Sequence, residues 1–270
     1  MNLATLYATR YLPHIRRVLK PRTVAEYERL AARLVMPEFG TIMLPELTLD
    51  AVESWHVRIS AAGKVQANRA LAVLSAITTY AVGRRLLAAH PFRGVERNKE
   101  RGCEFFYSPG QTKAILNATS ASDDIRAKYI ALELLTGCRP GELLESCPGW
   151  RHGSVLRTPD GKTGGRNIYL PPAACAILDG LPGGARYFPE GMSLRRTWER
   201  LCRAASVPIA RRYDLRHTFA SQTLAAGTPM AVVSLLLGHT SERTTRRYAH
   251  LAPDVGLQAV AAAAARMGAA

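Results

Sequence analysis

The sequence of 270 residues has few of the features that mark secreted, metal-binding or membrane proteins. Its five cysteines are odd in number and never occur in a CxxC spacing, which favours reduced thiols over a disulfide framework or a zinc site. No apolar run follows the arginines of the first twenty residues, and the alanine-rich stretch after Ala259 is too short to cross a bilayer. We therefore expect a soluble cytoplasmic protein without a membrane partner.

Acidic residues are also in the minority, with 21 Asp and Glu against 36 Lys and Arg and a net charge of +15. Residues 1–103 carry 16 basic and 8 acidic residues, an excess of 8, and residues 104–270 carry 20 and 13, an excess of 7. A positive field along the whole chain favours a polyanion, and the planar guanidinium suits phosphate because it donates two parallel hydrogen bonds. The alternative explanation is a genome rich in G and C, which also raises arginine and alanine.

The first part of the chain carries the apolar periodicity of several helices. Thr48 or Asp50 is the predicted N-cap of the third helix, and a fourth helix begins near Val65. Four polar residues around the first turns of this fourth helix are candidate contacts to phosphates and base edges, or else an ordinary solvated face: Lys64, Gln66, Asn68 and Arg69.

A basic run containing two glycines follows Phe92 and predicts a domain boundary. We place a first domain at 1–96, a linker at 97–107 and a second domain at 108–270. The second domain opens with a helix after Ser108. Further along it, Arg139 lies just before another predicted helix and Glu142 falls one turn into it. The carboxylate can hold the guanidinium there, although such pairs are common on helix surfaces.

Two short runs at 154–158 and 167–170 flank a glycine-rich turn, which predicts a β-hairpin with Lys162 near its tip. The sequence Gly161-Lys162-Thr163 matches part of a nucleotide-binding loop. The full pattern needs a glycine where this chain has Leu156 and a helix where it has a strand, so a P-loop is excluded. On its own, the lysine is either an ordinary turn residue or a group that reaches into a substrate.

The stretch from Tyr213 to Tyr248 combines helical periodicity with several reactive side chains. It predicts one helix from about Leu215, a turn, a second helix that ends at Leu237, and a short polar segment that leads to Tyr248. Two helices joined in this way can bring together residues that are distant in sequence, such as an arginine of the first helix and a histidine after the second. The alternative is a helical hairpin with surface cations.

Five residues of the chain match, in order, the catalytic set of a known family: Arg139, Lys162, Arg216, His239 and Tyr248. The chain thus resembles the tyrosine recombinase (phage integrase) family, which includes prophage integrases and Xer-like recombinases. The motifs are TGCRPGELLE, GKTGGR, DLRHTFAS and LLGHTSERTTRRYAH, and the resemblance covers essentially the whole chain. It implies an α-helical core-binding domain followed by a mostly α catalytic domain with a small antiparallel sheet, an α+β fold that forms a C-shaped clamp on duplex DNA. It also implies a homotetramer on two DNA sites, formed from a monomer or weak oligomer.

The same resemblance implies a site-specific recombinase that cleaves and rejoins DNA without a metal, ATP or another cofactor. Tyr248 would attack the phosphorus and form a 3′-phosphotyrosine. Arg139 and Arg216 would bind the phosphate oxygens. Lys162 would protonate the leaving 5′ oxygen, and His239 would hydrogen-bond a phosphate oxygen.

Glu142 and His217 are expected to support the catalytic groups, and Arg211 and Arg212 are further candidate contacts to DNA. The family usually has a histidine three residues before its second arginine, where this chain has Tyr213. A phenol donates a hydrogen bond to phosphate but carries no positive charge. We therefore include Tyr213 in the catalytic set and expect an altered rate or pH dependence rather than inactivity.

Two alternative functions stay open at this point, a relaxing enzyme like the type IB topoisomerases and a catalytically weakened DNA-binding protein. The region 147–158 is short for the three-stranded sheet of the family, so its first strand is expected to be abbreviated. Residues 253–270 predict a final helix, which packs either into a neighbouring protomer or onto its own. We expect no domain before residue 1 that recognises separate arm sites.

Overall fold

The computed structural model describes residues 1–100, 105–159, 164–239 and 255–268. The chain separates into two compact units, Met1–Gly102 and Cys103–Ala270. This division falls inside the segment 97–107 that the sequence predicts as a linker. Each unit has a hydrophobic core of its own, so each is described by itself.

The first unit is helical up to residue 83, apart from short connections, and residues 84–100 are turns and irregular chain. Its α-helices are α1 (Leu3–Leu6), α2 (Leu12–Val18), α3 (Pro21–Leu30), α4 (Met36–Phe39), α5 (Leu49–Ser60) and α6 (Lys64–Gly83). Single π-helical turns join α1 to α2 and α3 to α4. Thr48 caps α5 by accepting a hydrogen bond from the amide of Ala51 at 3.3 Å, which decides between the two predicted caps.

A buried polar network joins α5, α6 and the chain that follows them. The Nε2 atom of His56 lies 3.1 Å from Oδ1 of Asn68, and the two residues are 4% and 6% exposed. The amide nitrogen of Asn68 donates to the carbonyl of Asn98 at 2.9 Å and to the carboxylate of Glu100 at 2.8 Å. Since an unpaired buried amide is costly, these bonds fasten the first part of the predicted linker to α6.

The second unit is mostly helical and carries a small sheet. Its helices are α7 (Pro109–Ser120), α8 (Ile125–Thr136), α9 (Pro140–Glu145), α10 (Pro172–Asp179), α11 (Arg195–Ala204), α12 (Asp214–Ala225), α13 (Met230–Leu237) and α14 (Val255–Arg266). Strands β1 (Arg151–His152), β2 (Val155–Arg157) and β3 (Asn167–Tyr169) form an antiparallel sheet in the order β1-β2-β3. The first strand has only two residues and is abbreviated, as the sequence predicts.

Helix α8 lies in the core of the second unit, where Ile130 and Leu132 are fully buried. It packs against α7, α10, α11 and α12, so the other helices are arranged around it. The sheet contributes Leu156 and Ile168, which are opposite each other in the β2–β3 register and are both buried. This combination of helices and a small antiparallel sheet is the predicted fold class.

Replacing Trp55 with alanine is expected to destabilise the first unit by about 3–5 kcal/mol, because a fully buried aromatic side chain is lost and a cavity remains. Trp55 is 1% exposed and packs edge-on against Phe39, with ring centroids 5.1 Å apart. The control is Val57→Ala on the same helix, at a side chain that is 72% exposed, where a change within about 0.5 kcal/mol is expected. Urea unfolding followed by circular dichroism measures both, and equal midpoints for the two variants would contradict this packing.

Candidate active site

Arg139 and Glu142 are joined at the start of α9. Pro140 begins the helix, where its missing N–H has no cost, and Glu142 lies in the first turn. The Glu142 carboxylate accepts hydrogen bonds from the backbone amide of Arg139 at 2.7 Å and from its guanidinium at 3.1 Å. The pair that the sequence offered only as weak evidence is therefore formed, and it fixes Arg139 directly before α9.

Arg216 lies in the first turn of α12 and is 4% exposed. Its Nη1 atom donates to the carbonyl of Gly137 at 2.7 Å. Burial is the main cause that lowers the pKa of Arg216, and the positive charges of Arg139 and Arg166 add to the effect. The guanidinium is thus oriented by backbone dipoles before any substrate binds.

The C-terminal end of α13 binds three arginines through three consecutive carbonyl groups. The carbonyls of Leu236, Leu237 and Gly238 accept, in that order, from Arg166, Arg216 and Arg139 at 2.7, 2.5 and 2.5 Å. The last carbonyls of a helix have no partner within it and carry its partial negative charge, so cations are stabilised there. We call these three side chains the arginine cluster. Because they come from separate parts of the sequence, the end of α13 brings the site together.

Arg166 is the member of the arginine cluster that sequence reasoning missed. Its Nε and Nη2 atoms donate to the two carboxylate oxygens of Glu142 at 2.9 and 2.7 Å, and its side chain is only 11% exposed. Burial opposes ionisation of Glu142, but the hydrogen bonds and charge of Arg166, with those of Arg139, hold its pKa below the usual value. The sequence signal is weak, since nothing in the motif GKTGGR separates this arginine from the many others.

Two glycines allow the close approach of these elements. Gly238 has a φ of +63°, and a Cβ there would lie 2.3 Å from Cδ of Arg166. Gly137 has a φ of +59°, and a Cβ there would lie 2.2 Å from Cδ1 of Phe219. Both residues end a helix in the left-handed conformation that glycine adopts most readily. A side chain at either position would push a neighbour away.

Tyr213, His217 and His239 are placed by the ends of α12 and α13. Tyr213 precedes α12, is 46% exposed, and packs edge-on against the buried ring of His217 with centroids 5.5 Å apart. His239 follows Gly238, and its backbone amide donates to the carbonyl of Ser234 at 3.0 Å. The structure therefore places Tyr213 at an exposed position in contact with the buried His217, and the supporting role of His217 stays a prediction.

Lys162 and Tyr248, the implied acid and nucleophile, lie outside the described residues. The base of the hairpin that carries Lys162 is described. There the Thr158 amide donates to the carbonyl of Arg166 at 2.9 Å, and the Arg166 amide donates to Oγ1 of Thr158 at 3.0 Å. Because the Arg166 side chain binds Glu142, this hairpin is attached to the same group that holds Arg139.

The four candidate DNA contacts on α6 differ in exposure. Lys64 and Arg69 are exposed and Gln66 is half-buried, whereas Asn68 is buried in the polar network with His56. Contact with DNA stays a prediction for all four. Asn68 already has intrachain partners for its amide.

Arg211 and Arg212, the two other candidate DNA contacts, precede α12. Arg211 is exposed and forms an ion pair with Asp214 at 2.9 Å, whereas Arg212 is half-buried and pairs with the buried carboxylate of Glu133. Their contact with DNA also stays a prediction.

Comparisons with known proteins find integrases and recombinases among the relatives of this chain. The model of the phage integrase family matches residues 192–254. A putative prophage phiRv2 integrase of Mycobacterium tuberculosis is 26% identical over 269 residues, which cover 87% of this chain and 72% of the relative. The tyrosine recombinase XerC of Corynebacterium efficiens is 26% identical over 243 residues, which cover 80% and 77%. A lambda integrase dimer bound to a COC′ core site has the same fold, with a TM-score of 0.76 and 18% identity over 92% of this chain and 77% of that chain.

The chain is similar to the tyrosine recombinases of the phage integrase family. The resemblance, the fold class and the enzyme class predicted from the motifs are confirmed, and neither the topoisomerase nor the weakened binding protein is favoured. Within the described residues of the recombinase, no group of histidine, cysteine or acidic side chains is arranged to hold a metal ion. Among its described helices, none has the length and apolarity needed to span a membrane.

Gly238→Ala is expected to reduce DNA cleavage by the recombinase about 10²-fold, because the added methyl group displaces Arg166 and a misplacement of about 1 Å typically costs that much. Gly227→Ala is the matched control. Gly227 also has a positive φ, +85°, so the backbone strain is shared, but nothing lies within 4 Å of a Cβ at that position. Cleavage rates on a duplex with the attachment site, measured with thermal unfolding of both variants, test this. Equal rates would show that the fit of Arg166 against Gly238 is not required.

Proposed function

We propose that this recombinase cleaves and rejoins duplex DNA through a covalent bond between Tyr248 and a 3′ phosphate. The residue roles in this proposal rest on the arginine cluster, whose side chains bind the carbonyls at the end of α13, and in which Arg166 also binds Glu142. Negative charge builds on the non-bridging oxygens of a phosphate under attack, and cations already in place stabilise it without reorganisation. Losing one such group typically lowers the rate about 10²–10³-fold.

Two members of the cluster take the role of binding the phosphate, Arg139 and Arg216. Each is oriented by a carbonyl at the end of α13 and by a second partner, Glu142 for Arg139 and the Gly137 carbonyl for Arg216. The guanidinium plane is therefore set from two sides, as bidentate recognition of phosphate requires. Arg166 is more deeply engaged with Glu142 and takes the role of positioning Arg139.

The proposed chemical step is a transesterification. The phenolic oxygen of Tyr248 forms a bond to phosphorus while the bond from phosphorus to the 5′ oxygen breaks. The phenol loses its proton to solvent, and the leaving 5′ oxygen receives one from Lys162. The phosphotyrosine keeps the bond energy, so a 5′-hydroxyl can attack it in reverse and reseal a strand. His239, which directly follows the arginine-binding end of α13, donates a hydrogen bond to a phosphate oxygen.

The partner in this proposal is double-stranded DNA, in the cytoplasm at the nucleoid. The net charge of +15 supports a polyanionic partner. The active form is a homotetramer on two DNA sites. The fold is shared with a lambda integrase tetramer bound to a Holliday junction, at a TM-score of 0.75 and 17% identity, which supports such an assembly.

Tyr248→Phe is expected to abolish covalent capture on a nicked suicide duplex that carries the attachment site, because phenylalanine has no oxygen to attack the phosphorus. The reaction is run in chelator, and the adduct is detected as a denaturation-resistant band. Wild type should form the adduct, and the variant should bind the same duplex without forming it. An adduct that persists in Tyr248→Phe would remove Tyr248 as the nucleophile and make Tyr213 the next residue to test.

Tyr213→Phe is expected to slow cleavage about tenfold or more, because a hydrogen bond to a charged phosphate is worth roughly 1.5–3 kcal/mol. Tyr213→His is the complementary change. An imidazole with a free pKa of about 6.5 adds a positive charge as the pH falls, so this variant should exceed wild type at acidic pH and approach it at alkaline pH. Single-turnover rates across pH separate the two effects. A rate for Tyr213→Phe equal to that of wild type would show that the phenol does not contact the phosphate.

A further inference from the structure

A buried ion pair lies one residue before Tyr213. Arg212 pairs with Glu133 of α8, and the side chains of the two residues are 25% and 4% exposed. The Cζ atom of Arg212 lies 5.6 Å from the centre of the Tyr129 ring. The guanidinium is thus engaged by a carboxylate and an aromatic face inside the second unit.

The same part of α8 forms hydrogen bonds to residues next to, or bound by, the two phosphate-binding arginines. The hydroxyl of Tyr129 donates to the carbonyl of Pro140, which directly follows Arg139, at 2.5 Å. The carbonyl of Glu133 accepts from the amide of Gly137 at 3.0 Å, and the Gly137 carbonyl in turn accepts from Arg216. One turn of α8 therefore contacts the residue that follows Arg139 and the residue whose carbonyl binds Arg216.

The ion pair also fixes the start of α12. The carbonyl of Arg212 accepts from the amide of Leu215 at 3.1 Å, and the carbonyl of Tyr213 accepts from the amide of Arg216 at 3.1 Å. These bonds form the first turn of the helix that carries Arg216. A displacement of Arg212 from Glu133 would therefore move Tyr213 and loosen this turn.

We propose that Glu133 and Arg212 are positioning residues for strand cleavage, which as an ion pair set Tyr213 and the first turn of α12 against the arginine cluster. This inference rests on the proposed function, because the reaction it affects is the cleavage assigned to that site. It gives Arg212 a role inside the protein.

The pair is poorly explained as a source of stability. Removing a carboxylate from water is costly, and apolar residues of similar volume often pack as well or better. Glu133 is 3% exposed, and its Oε2 atom is buried without a hydrogen-bond partner among the described residues. An arrangement that leaves a buried carboxylate oxygen unpaired lowers the stability of the fold. Its benefit therefore lies in the geometry that the ion pair imposes.

The charge of Glu133 changes near neutral pH. Burial raises the pKa of its carboxyl to about 7, although Arg212 acts in the opposite direction. The other titratable groups that face it are Tyr129 on α8 and the Cys138 thiol after α8. Burial raises the pKa of both, that of Cys138 to about 12, so neither changes charge in this range. Because the folded protein holds this proton more tightly than the unfolded chain, stability falls as the pH rises from the ordinary carboxyl range to about 7, while the ion pair forms.

The test compares the pH dependence of single-turnover cleavage in wild type, Glu133→Gln and Glu190→Gln. Glutamine keeps the shape of the side chain but has no charge. Glu190 is the control because it is an exposed glutamate that also faces an arginine, Arg186, at 3.6 Å. Thermal unfolding and binding of the same duplex are measured alongside.

The expected result for wild type is a cleavage rate that rises as the pH increases through about 7, and a melting temperature that falls as the pH approaches about 7 and then levels off. Glu133→Gln should lack both changes and cleave about tenfold more slowly than wild type at alkaline pH, an effect of the size expected from a displacement below about 1 Å. Glu190→Gln should follow wild type. The opposite signs for rate and stability separate positioning from a merely structural role, in which both would move together.

A pH profile that Glu133→Gln shares with wild type would overturn the proposal. If Glu133→Gln fails to fold, Arg212→Lys decides the matter. It keeps the charge but not the fork of the guanidinium, so a slower rate with the same inflection supports positioning, and an unchanged rate overturns it. If wild type forms no adduct at any pH, the proposed function fails. Hydrogen exchange of the Leu215 and Arg216 amides then still tests the pair, because faster exchange in Glu133→Gln than in Glu190→Gln supports it and equal exchange overturns it.

Discussion

The end of α13 is the constraint on which the candidate site depends. A short helix leaves its last carbonyls without partners, and here three of them bind guanidinium groups from the turn before α9, the β-hairpin and α12. None of these three segments is adjacent to another in sequence. Their arrangement therefore exists only in the folded second unit, and a displacement of α13 would move all three arginines together. His239 follows directly on this helix, so its position is coupled to theirs.

This arrangement concentrates positive charge at a buried point. Among the described residues, Glu142 is the carboxylate in direct contact with two of these arginines, and it forms ion pairs with Arg139 and Arg166 at 3.1 and 2.7 Å. The lowered pKa of Arg216 shows the effect of burial together with repulsion from its neighbours. A phosphate that enters the cluster supplies the missing negative charge. Repulsion between the arginines is relieved most when the phosphate carries the most negative charge, which occurs in the transition state. The cluster therefore stabilises the transition state more than the bound substrate, which is the condition for catalysis.

The residues that the sequence predicts well are those whose role depends on local spacing. The Arg139–Glu142 pair spans one helical turn, and the two helices α12 and α13 follow from periodicity and two glycines. The residues it missed act across long distances. Arg166 meets Glu142 across 24 positions, and Arg212 meets Glu133 across 79, so neither contact leaves a local pattern. The buried position of Asn68 was also missed, because its partner Asn98 lies 30 positions away in the chain predicted as linker.

In the proposed mechanism, the tyrosine at position 213 changes how the site responds to pH. A histidine there would face the phosphate and add charge to it directly as the pH falls. With Tyr213, that imidazole is missing. Instead, Glu133, which forms an ion pair with the neighbouring residue Arg212, changes its charge near neutral pH. The effect of Glu133 has the opposite sign, since acid removes the negative charge that holds Arg212 and so loosens the segment leading into α12. Position 213 is thereby linked to pH through the geometry of the backbone rather than through a charged side chain that faces the phosphate.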